Sequence, residues 1–418
     1  MNNRLIWQLS FRYLRGKRSA NAVPILSRIS MVAIAVSSGA MIIIFSVFNG
    51  LESLVKERYK AFYPDLRIVT ARGKFFTMDS AKIAVIRQTG GVRAVTAVIE
   101  DNAFAVSNDE QKVISLKGID AHYFKVNDIT PYIVQGDTTV MESRPQADND
   151  PGSPNTAIMG QRILNELGTD INSLSYFTLN YPNPTVVNPS ADPGSAFQSL
   201  RLHPGGVFRI EEEFDGKYIL APLPLVQELF KQAGKYSSIE IKAEPGKAKE
   251  IQEQLRLLLG TAFKVETRYE QNKTMYMVMG AEKWAVYAIL LLVLLIASFN
   301  MVGALSMLVL EKQKDIAILK AMGATNEAIK KIFLLEGVLW SLVGGLSGIV
   351  LGVTVCLIQL QFGIVKLGGS FVVEAWPVEI QMRDLGLVIS TILGVGLLVS
   401  WYPAIRSVRA EDPSLKSA

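Results

Sequence analysis

Four long apolar windows that lack any charged residue constrain this chain more than any other feature. They cover residues 29–51, 284–310, 337–365 and 385–405. Each window reaches the roughly 20 residues that a helix needs to cross about 30 Å of hydrocarbon. One long polar stretch, 52–283, separates the first window from the second. The pattern predicts a polytopic α-helical membrane protein with four transmembrane helices and a large extracytoplasmic domain between the first and second.

Lys and Arg are concentrated on one side of the predicted spans. Residues 1–28 hold six, the segment 311–336 holds five and the tail 406–418 holds three, whereas the loop 366–384 holds two. Because basic flanks stay in the cytoplasm, we expect both termini there and the stretch 52–283 outside. A cleaved signal peptide explains the first window less well, since a basic region of 28 residues precedes it and its apolar run is too long.

The stretch 52–283 mixes patterns typical of strands and of helices, which predicts an α+β domain. Its end, 269–283, has no Pro and no Gly before Gly280, so we expect a continuous stalk helix into the second span. Residues 1–28 should form a cytoplasmic amphipathic helix. We expect strands at 65–70, 92–106, 112–119, 175–180, 207–214, 218–221, 236–242 and 263–267, with 207–214 and 218–221 paired around Asp215, and helices at 80–88, 157–167 and 246–260.

Sequence motifs for nucleotide binding, metal binding and nucleophilic catalysis are missing. No G-x-x-x-x-G-K-[ST] loop occurs, and His122 and His203 lie far from each other and from the single cysteine, Cys356. We expect no catalytic residue, no metal site and no cofactor in this chain. The net charge of +5 comes largely from segments beside the spans, which favours membrane lipids over nucleic acid as partners. Charge-free spans also disfavour an ion-driven carrier, so energy must come from a partner.

The segment 311–336 is a charged island between two apolar windows. Ile316, Leu319 and Met322 recur at a spacing of three, which predicts a short helix with one apolar stripe. Gly323 should end this helix, and Thr325 can cap the next one. Such a helix can take a push from a partner, or it can be an ordinary cytoplasmic connector.

Two of the predicted spans carry patterned faces. In the first span, bulky residues follow a helical spacing, which indicates either a packing face or a wall for a lipid-like substrate: Met41, Ile44, Phe45 and Phe48. In the third, Gly344, Gly348 and Gly352 flatten one face and predict a tight seam, within the chain or across a dimer. Between two expected strands, 181–204 holds five prolines and is either a functional loop or a floppy insertion.

The chain resembles the lipoprotein-releasing (Lol) ABC-transporter permeases, in the wider FtsX/MacB-type permease family. Four stretches carry the resemblance: SFRYLRGKR with the first span, ASFNMVGALSMLVLEKQKDIAILKAMGA in the second span and its exit, IFLLEGVLWSLVGGLSGIVLG in the third, and SWYPAIRSVRAEDP at the end of the fourth. Together they cover both ends and all four spans. The resemblance implies a MacB-like periplasmic core in 52–283 and a location in the bacterial inner membrane.

The same resemblance implies the partners. Two permease chains, identical or different, would pair above two copies of a separate ABC ATPase that holds ATP and Mg. The helix after the second span would be the coupling helix docked on that ATPase, with these residues: Glu311, Lys312, Asp315, Ile316, Leu319, Met322 and Gly323. The stripe of the first span would line a cavity for acylated lipoproteins. A periplasmic lipoprotein carrier would dock on the loop that holds Tyr181, Pro182, Pro184, Pro189, Phe197 and Arg201.

Two other functions fit the same residues. One is a MacB-type mechanotransmission permease for efflux of periplasmic substrates, without lipid extraction. The other is an FtsX-like regulator that transmits the state of an ATPase to a periplasmic hydrolase.

Overall fold

The computed structural model describes residues 23–107, 110–138, 155–171, 175–183, 196–366 and 375–409. The chain forms two compact units. The helical unit comprises Met1–Leu54 and Met277–Ala418, and the outer unit comprises Val55–Tyr276. The amphipathic helix expected at 1–28 lies mostly outside the described residues and stays a prediction.

Helices and strands alternate between the first and second long helices. In chain order they are α1 (Val23–Phe62), β1 (Leu66–Thr70), α2 (Ser80–Gln88), β2 (Val92–Ser107), β3 (Glu110–Ile119), α3 (Tyr123–Val126), β4 (Ile133–Gly136), β5 (Thr156–Gly160), α4 (Gln161–Glu166), β6 (Phe177–Pro182), β7 (Phe197–Phe208), α5 (Glu212–Asp215), β8 (Tyr218–Pro222), α6 (Leu223–Leu229), β9 (Ser238–Ala243), α7 (Ala248–Leu259), β10 (Phe263–Thr267), α8 (Arg268–Gln271), α9 (Lys273–Glu311), α10 (Gln313–Ala321), α11 (Asn326–Phe362) and α12 (Met382–Arg409).

Four helices of the described chain, α1, α9, α11 and α12, are long and apolar enough to cross a membrane. Their apolar residues pack into one core, which also takes in Ile316 of the short helix α10. The stalk differs slightly from the expected helix. A capping box between Thr267 and Glu270 starts α8, the helix breaks at Asn272, and α9 then runs without interruption from Lys273.

The outer unit is built on a ten-stranded mixed sheet in the order β10-β1-β9-β2-β3-β8-β5-β7-β4, and β6 pairs with β2 and β7. Two neighbouring pairs, β3–β8 and β5–β7, are parallel, and the others are antiparallel. Three apolar clusters fill the space between this sheet and the short helices. The α+β architecture between the first and second spans is thus as predicted.

Two local predictions were wrong about the type or the pairing of an element. The helix expected at 157–167 is a strand, β5, followed by the short α4, because Ala157, Ile158 and Met159 are all buried in the interior of the sheet. The hairpin expected around Asp215 does not form. The Asp215 carboxylate accepts a hydrogen bond from the Ile210 amide at 2.8 Å and stabilises a helical turn, α5, and β8 pairs with β3 and β5 instead of β7.

Candidate functional site

Helix α10 is a short helix set between two long ones. Its end is fixed by Gly323, whose φ of +88° is a conformation that favours glycine. The Thr325 hydroxyl then accepts a hydrogen bond from the Ala328 amide and starts α11. The predicted stop and cap are both present, so the local sequence defines where α10 ends and where α11 begins.

The two faces of α10 have different surroundings. Ile316 is only 4% exposed and lies in the core of the helical unit, while Leu319 packs against Ala328 and Ile332 at the start of α11. Ile316 and Leu319, two of the three residues of the predicted apolar stripe, therefore attach α10 to its own chain. Lys312, which directly precedes α10, forms an ion pair with Asp315 of the helix at 3.1 Å.

The opposite face of α10 is exposed. Ile318 is 59% exposed and Met322 is 79% exposed, and Glu311, Lys314 and Gly323 are exposed beside them. Of the seven residues predicted for coupling, only Glu311, Met322 and Gly323 are in this exposed group. The coupling residues predicted from the sequence do not include Lys314 and Ile318, although positions 314, 318 and 322 recur every four residues, a spacing that indicates one helical face.

The bulky stripe of α1 also divides. Met41 and Phe45 are fully buried in the helical unit, and the Phe45 ring stacks on Tyr287 of α9 with centroids 6.1 Å apart. Ile44 and Phe48 remain partly exposed. Only these two of the four predicted cavity residues can meet a molecule outside this unit without a rearrangement.

The three glycines of α11 face α1 of the same chain. A Cβ atom at Gly348 would lie 2.0 Å from the carbonyl oxygen of Ala35, and one at Gly344 would lie 2.7 Å from that of Met31. At Gly352 the same atom would lie 2.8 Å from the carbonyl oxygen of Gly39. The backbones of α1 and α11 thus approach each other along a seam that larger residues would force apart.

The described ends of the proline-rich stretch belong to two paired strands, β6 and β7, and residues 184–195 lie outside the described residues. Tyr181 and Pro182 end β6, and Phe197 begins β7, ten residues before the strand expected at 207. The Tyr181 hydroxyl donates to the Asp101 carboxylate at 2.8 Å; burial and this carboxylate raise the pKa of the phenol. Phe197 is about half exposed, and exposed Arg201 lies over the Tyr176 ring. Pro184 and Pro189 lie outside the described residues.

The last turns of α1 belong to the core of the outer unit. Phe62 packs among Phe208, Phe214 and Tyr218, with ring centroids between 4.6 and 5.5 Å from its own. The Tyr59 hydroxyl donates to the Glu213 carboxylate at 2.8 Å. These contacts place the last turns of α1 in the core of the outer unit.

Comparisons with known proteins follow the same division of the chain. The family model described as MacB-like periplasmic core domain matches residues 27–258, and the one described as FtsX-like permease C-terminal matches residues 287–411. The chain is similar to the lipoprotein-releasing system transmembrane protein LolE of Haemophilus influenzae, with 24% identity over 98% of each chain. It is also similar to LolC of Xylella fastidiosa, named in the same way, with 22% identity over 98% of each chain.

Among solved structures, the periplasmic region of MacB from Actinobacillus actinomycetemcomitans matches 54% of this chain and 98% of its own length, with 12% identity and a TM-score of 0.35. The first family model alone covers more than half of the chain, and the second covers most of α9 and all of α10, α11 and α12. The chain therefore belongs to the FtsX/MacB-type family of ABC-transporter permeases, as a multi-pass transmembrane subunit that is not itself an ATPase.

Proposed function

We propose that this chain is the permease subunit of an ATP-driven machine that releases lipoproteins from the bacterial inner membrane to a periplasmic carrier. The observation that carries this proposal is similarity over 98% of the chain, outer unit included, to proteins named for lipoprotein release. Two permease chains, identical or different, sit in the membrane with their termini in the cytoplasm. A separate ABC ATPase beneath them holds ATP and Mg.

The ATPase pushes on the exposed face of α10. Ile318 and Met322 supply apolar contact there, and Lys314 supplies a charge at the same face. Ile316 and Leu319 hold α10 against the rest of the helical unit, so the push cannot move α10 alone. The support for this step is the contrast between one buried and one exposed apolar face on a helix of nine residues.

The motion then moves outward along α9, which is continuous over 39 residues from Lys273 to Glu311. Ile44 and Phe48 of α1 form the part of the lipid-facing wall that acyl chains touch. The hairpin of β6 and β7 offers Phe197 and Arg201 to the periplasmic carrier, since an exposed aromatic ring and a guanidinium are frequent anchors of protein interfaces.

Release from a membrane tests the proposal directly. The full-length chain, purified with its partner permease and ATPase, is reconstituted into vesicles with a fluorescent triacylated lipopeptide. ATP and Mg should transfer the lipopeptide to the soluble fraction when the carrier is present, and an unacylated peptide should not depend on ATP. ATP hydrolysis with no lipopeptide release, but with export of an unacylated substrate, would instead support the efflux function.

A periplasmic hydrolase that copurifies with the chain would support the regulator. In that case the same vesicles should show hydrolase activity that depends on ATP, and no transfer of the lipopeptide.

A further inference from the structure

Three polar side chains from three different spans meet at one level of the helical unit. Asn49 lies near the end of the first apolar window, while Lys283 and Asp384 lie directly before the second and fourth windows. Within the unit these residues belong to α1, α9 and α12. Their positions at the same boundary of three windows place them at the outer edge of the hydrocarbon region.

These three side chains are joined to one another by hydrogen bonds and an ion pair. The Lys283 ammonium donates to both oxygens of the Asp384 carboxylate, at 3.0 and 3.2 Å, and to the side-chain amide oxygen of Asn49 at 2.9 Å. The Asn49 amide nitrogen donates to Asp384 at 2.6 Å and to the backbone oxygen of Glu379 at 3.2 Å. Asn49 is 1% exposed, and the side chain of Asp384 is 11% exposed. Separating the three would leave a charge without compensation in largely apolar surroundings.

A second layer of contacts joins the same helices further into the apolar windows. Phe45 of α1 stacks on Tyr287 of α9, and the Lys283 ammonium lies 5.9 Å from the Phe45 ring. The Tyr287 hydroxyl shares a hydrogen bond of 2.9 Å with the Thr391 hydroxyl of α12. The contacts therefore extend over more than one turn of α9.

The segment before α12 reinforces the contact with α1. The Glu379 amide donates to the backbone oxygen of Ser46 at 2.8 Å. Gly50 lies so close to this segment that a Cβ atom would come within 2.3 Å of the Pro377 carbonyl oxygen. Backbone contacts of this kind leave little room for α1 and α12 to slide past each other.

We propose that Asn49, Lys283 and Asp384 form an outer clamp that keeps the outer ends of α1, α9 and α12 together throughout the transport cycle. Movement of α9 then carries α1 and α12 with it and does not open a gap between them. Met41 and Phe45 stay buried among the helices, so Ile44 and Phe48 are the only residues of the predicted stripe that acyl chains can contact. The transport cycle in this inference rests on the proposed function, whereas the clamp itself is a property of the single chain.

Distances between spin labels test the clamp. Labels replace Trp284 on α9 and Met382 on α12, which are 65% and 82% exposed, in a Cys356→Ala background. With the full chain in lipid nanodiscs we expect one narrow distance distribution. Asp384→Asn should broaden it, because the Lys283 ammonium loses its carboxylate, and the charge reversal Lys283→Asp with Asp384→Lys should narrow it again. An unchanged distribution in Asp384→Asn would overturn the clamp.

The same labels test whether the clamp persists during the cycle. In the complex with the ATPase, trapping with ATP and vanadate should leave the wild-type distribution unchanged, and a shift would overturn the inference. If Asp384→Asn does not fold, Lys283→Met with Asp384→Leu removes both charges without leaving either unpaired. That variant should fold but gain a second distance on trapping, and a wild-type distribution in both states would also contradict the clamp.

Release of the lipopeptide, measured on the same samples, separates this inference from the proposed function. Absence of release together with fixed distances would contradict lipoprotein release and leave the clamp in place. Normal release with distances that shift on trapping would contradict only the clamp. Asp384→Asn should raise the ATP hydrolysed per lipopeptide released several-fold, and the charge reversal should restore the wild-type ratio, which a loss of stability alone would not produce.

Discussion

Ile318 gives the sharpest test of the coupling surface, because it is an exposed apolar residue on a helix whose other face is buried. Burying a whole isoleucine side chain contributes roughly 1.5–3 kcal/mol. Since 59% of Ile318 is exposed, covering it on docking should contribute roughly 1–2 kcal/mol, or about 5- to 30-fold in affinity for the ATPase. Ile318→Ala should lose much of that affinity, and Ile318→Asp should lose more.

Ile316 provides the matched control on the same helix. It is 4% exposed and belongs to the core of the helical unit. Ile316→Ala should therefore leave a cavity and lower the free energy of unfolding by about 2–5 kcal/mol. Its direct effect on ATPase contact should be small, because the side chain does not reach the exposed face. The two neighbouring positions thus separate docking from folding.

Two measurements on the full-length chain in nanodiscs distinguish these effects. Binding of the ATPase is titrated at the surface of a sensor, and thermal unfolding is followed by tryptophan fluorescence. We expect Ile318→Ala to weaken binding with an unchanged melting temperature, and Ile316→Ala to lower the melting temperature with near-normal binding below it. The opposite pattern would refute the assignment of faces, and wild-type binding by Ile318→Asp would refute the coupling surface itself.

Three further predictions concern single positions. Gly348→Ala should lower the melting temperature, since its Cβ would lie 2.0 Å from a backbone oxygen of α1, whereas Gly303→Ala, with open space around it, should not. Lys117→Met should destabilise the chain by roughly 3–5 kcal/mol in thermal melts, because Lys117 pairs with buried Glu240 at 2.7 Å. Adding Glu240→Leu removes the unpaired charge and should recover most of the lost stability. Burial by itself would raise the pKa of the Glu270 carboxyl. Hydrogen bonds from Thr267 and Gln252 have the larger combined effect, so the pKa lies below its usual value. The stability Glu270 contributes is then present above its unfolded pKa and lost as pH falls through the lower folded value, so Glu270→Gln should flatten the decline in melting temperature below about pH 4.

The membrane part of the fold follows from the sequence because its cause is local. A window without charge that is long enough to cross the bilayer has few alternatives to a transmembrane helix. Gly323 and Thr325 likewise define the ends of their helices through their own backbone and side chain. Strands with alternating exposure, such as β7, are harder to locate from the sequence. The expected strand starts ten residues after β7 begins, because Pro204 and the two glycines after it interrupt the alternating pattern.

Buried positions in the middle of the sheet mislead a local analysis. Ala157, Ile158 and Met159 form a short apolar run that does not distinguish a central strand from a helix, and only the pairing with β7 and β8 decides it. The same limit applies to the faces of α10 and α1. The sequence locates Ile316 and Phe45 on apolar stripes, but whether a stripe faces its own chain or a partner depends on residues far away.

The length of α1 and α9 shows why the proposed clamp matters for transmission. These helices contain 40 and 39 residues, or about 60 Å each at 1.5 Å per residue, roughly twice what the hydrocarbon region requires. A long helix pushed at one end bends unless it is supported along its length. Asn49 and Lys283 lie where each helix leaves its apolar window, so a clamp at that level would support both before their outer turns. A push on α10 would then reach the outer unit through two helices, and the contacts of Phe62 supply the second attachment.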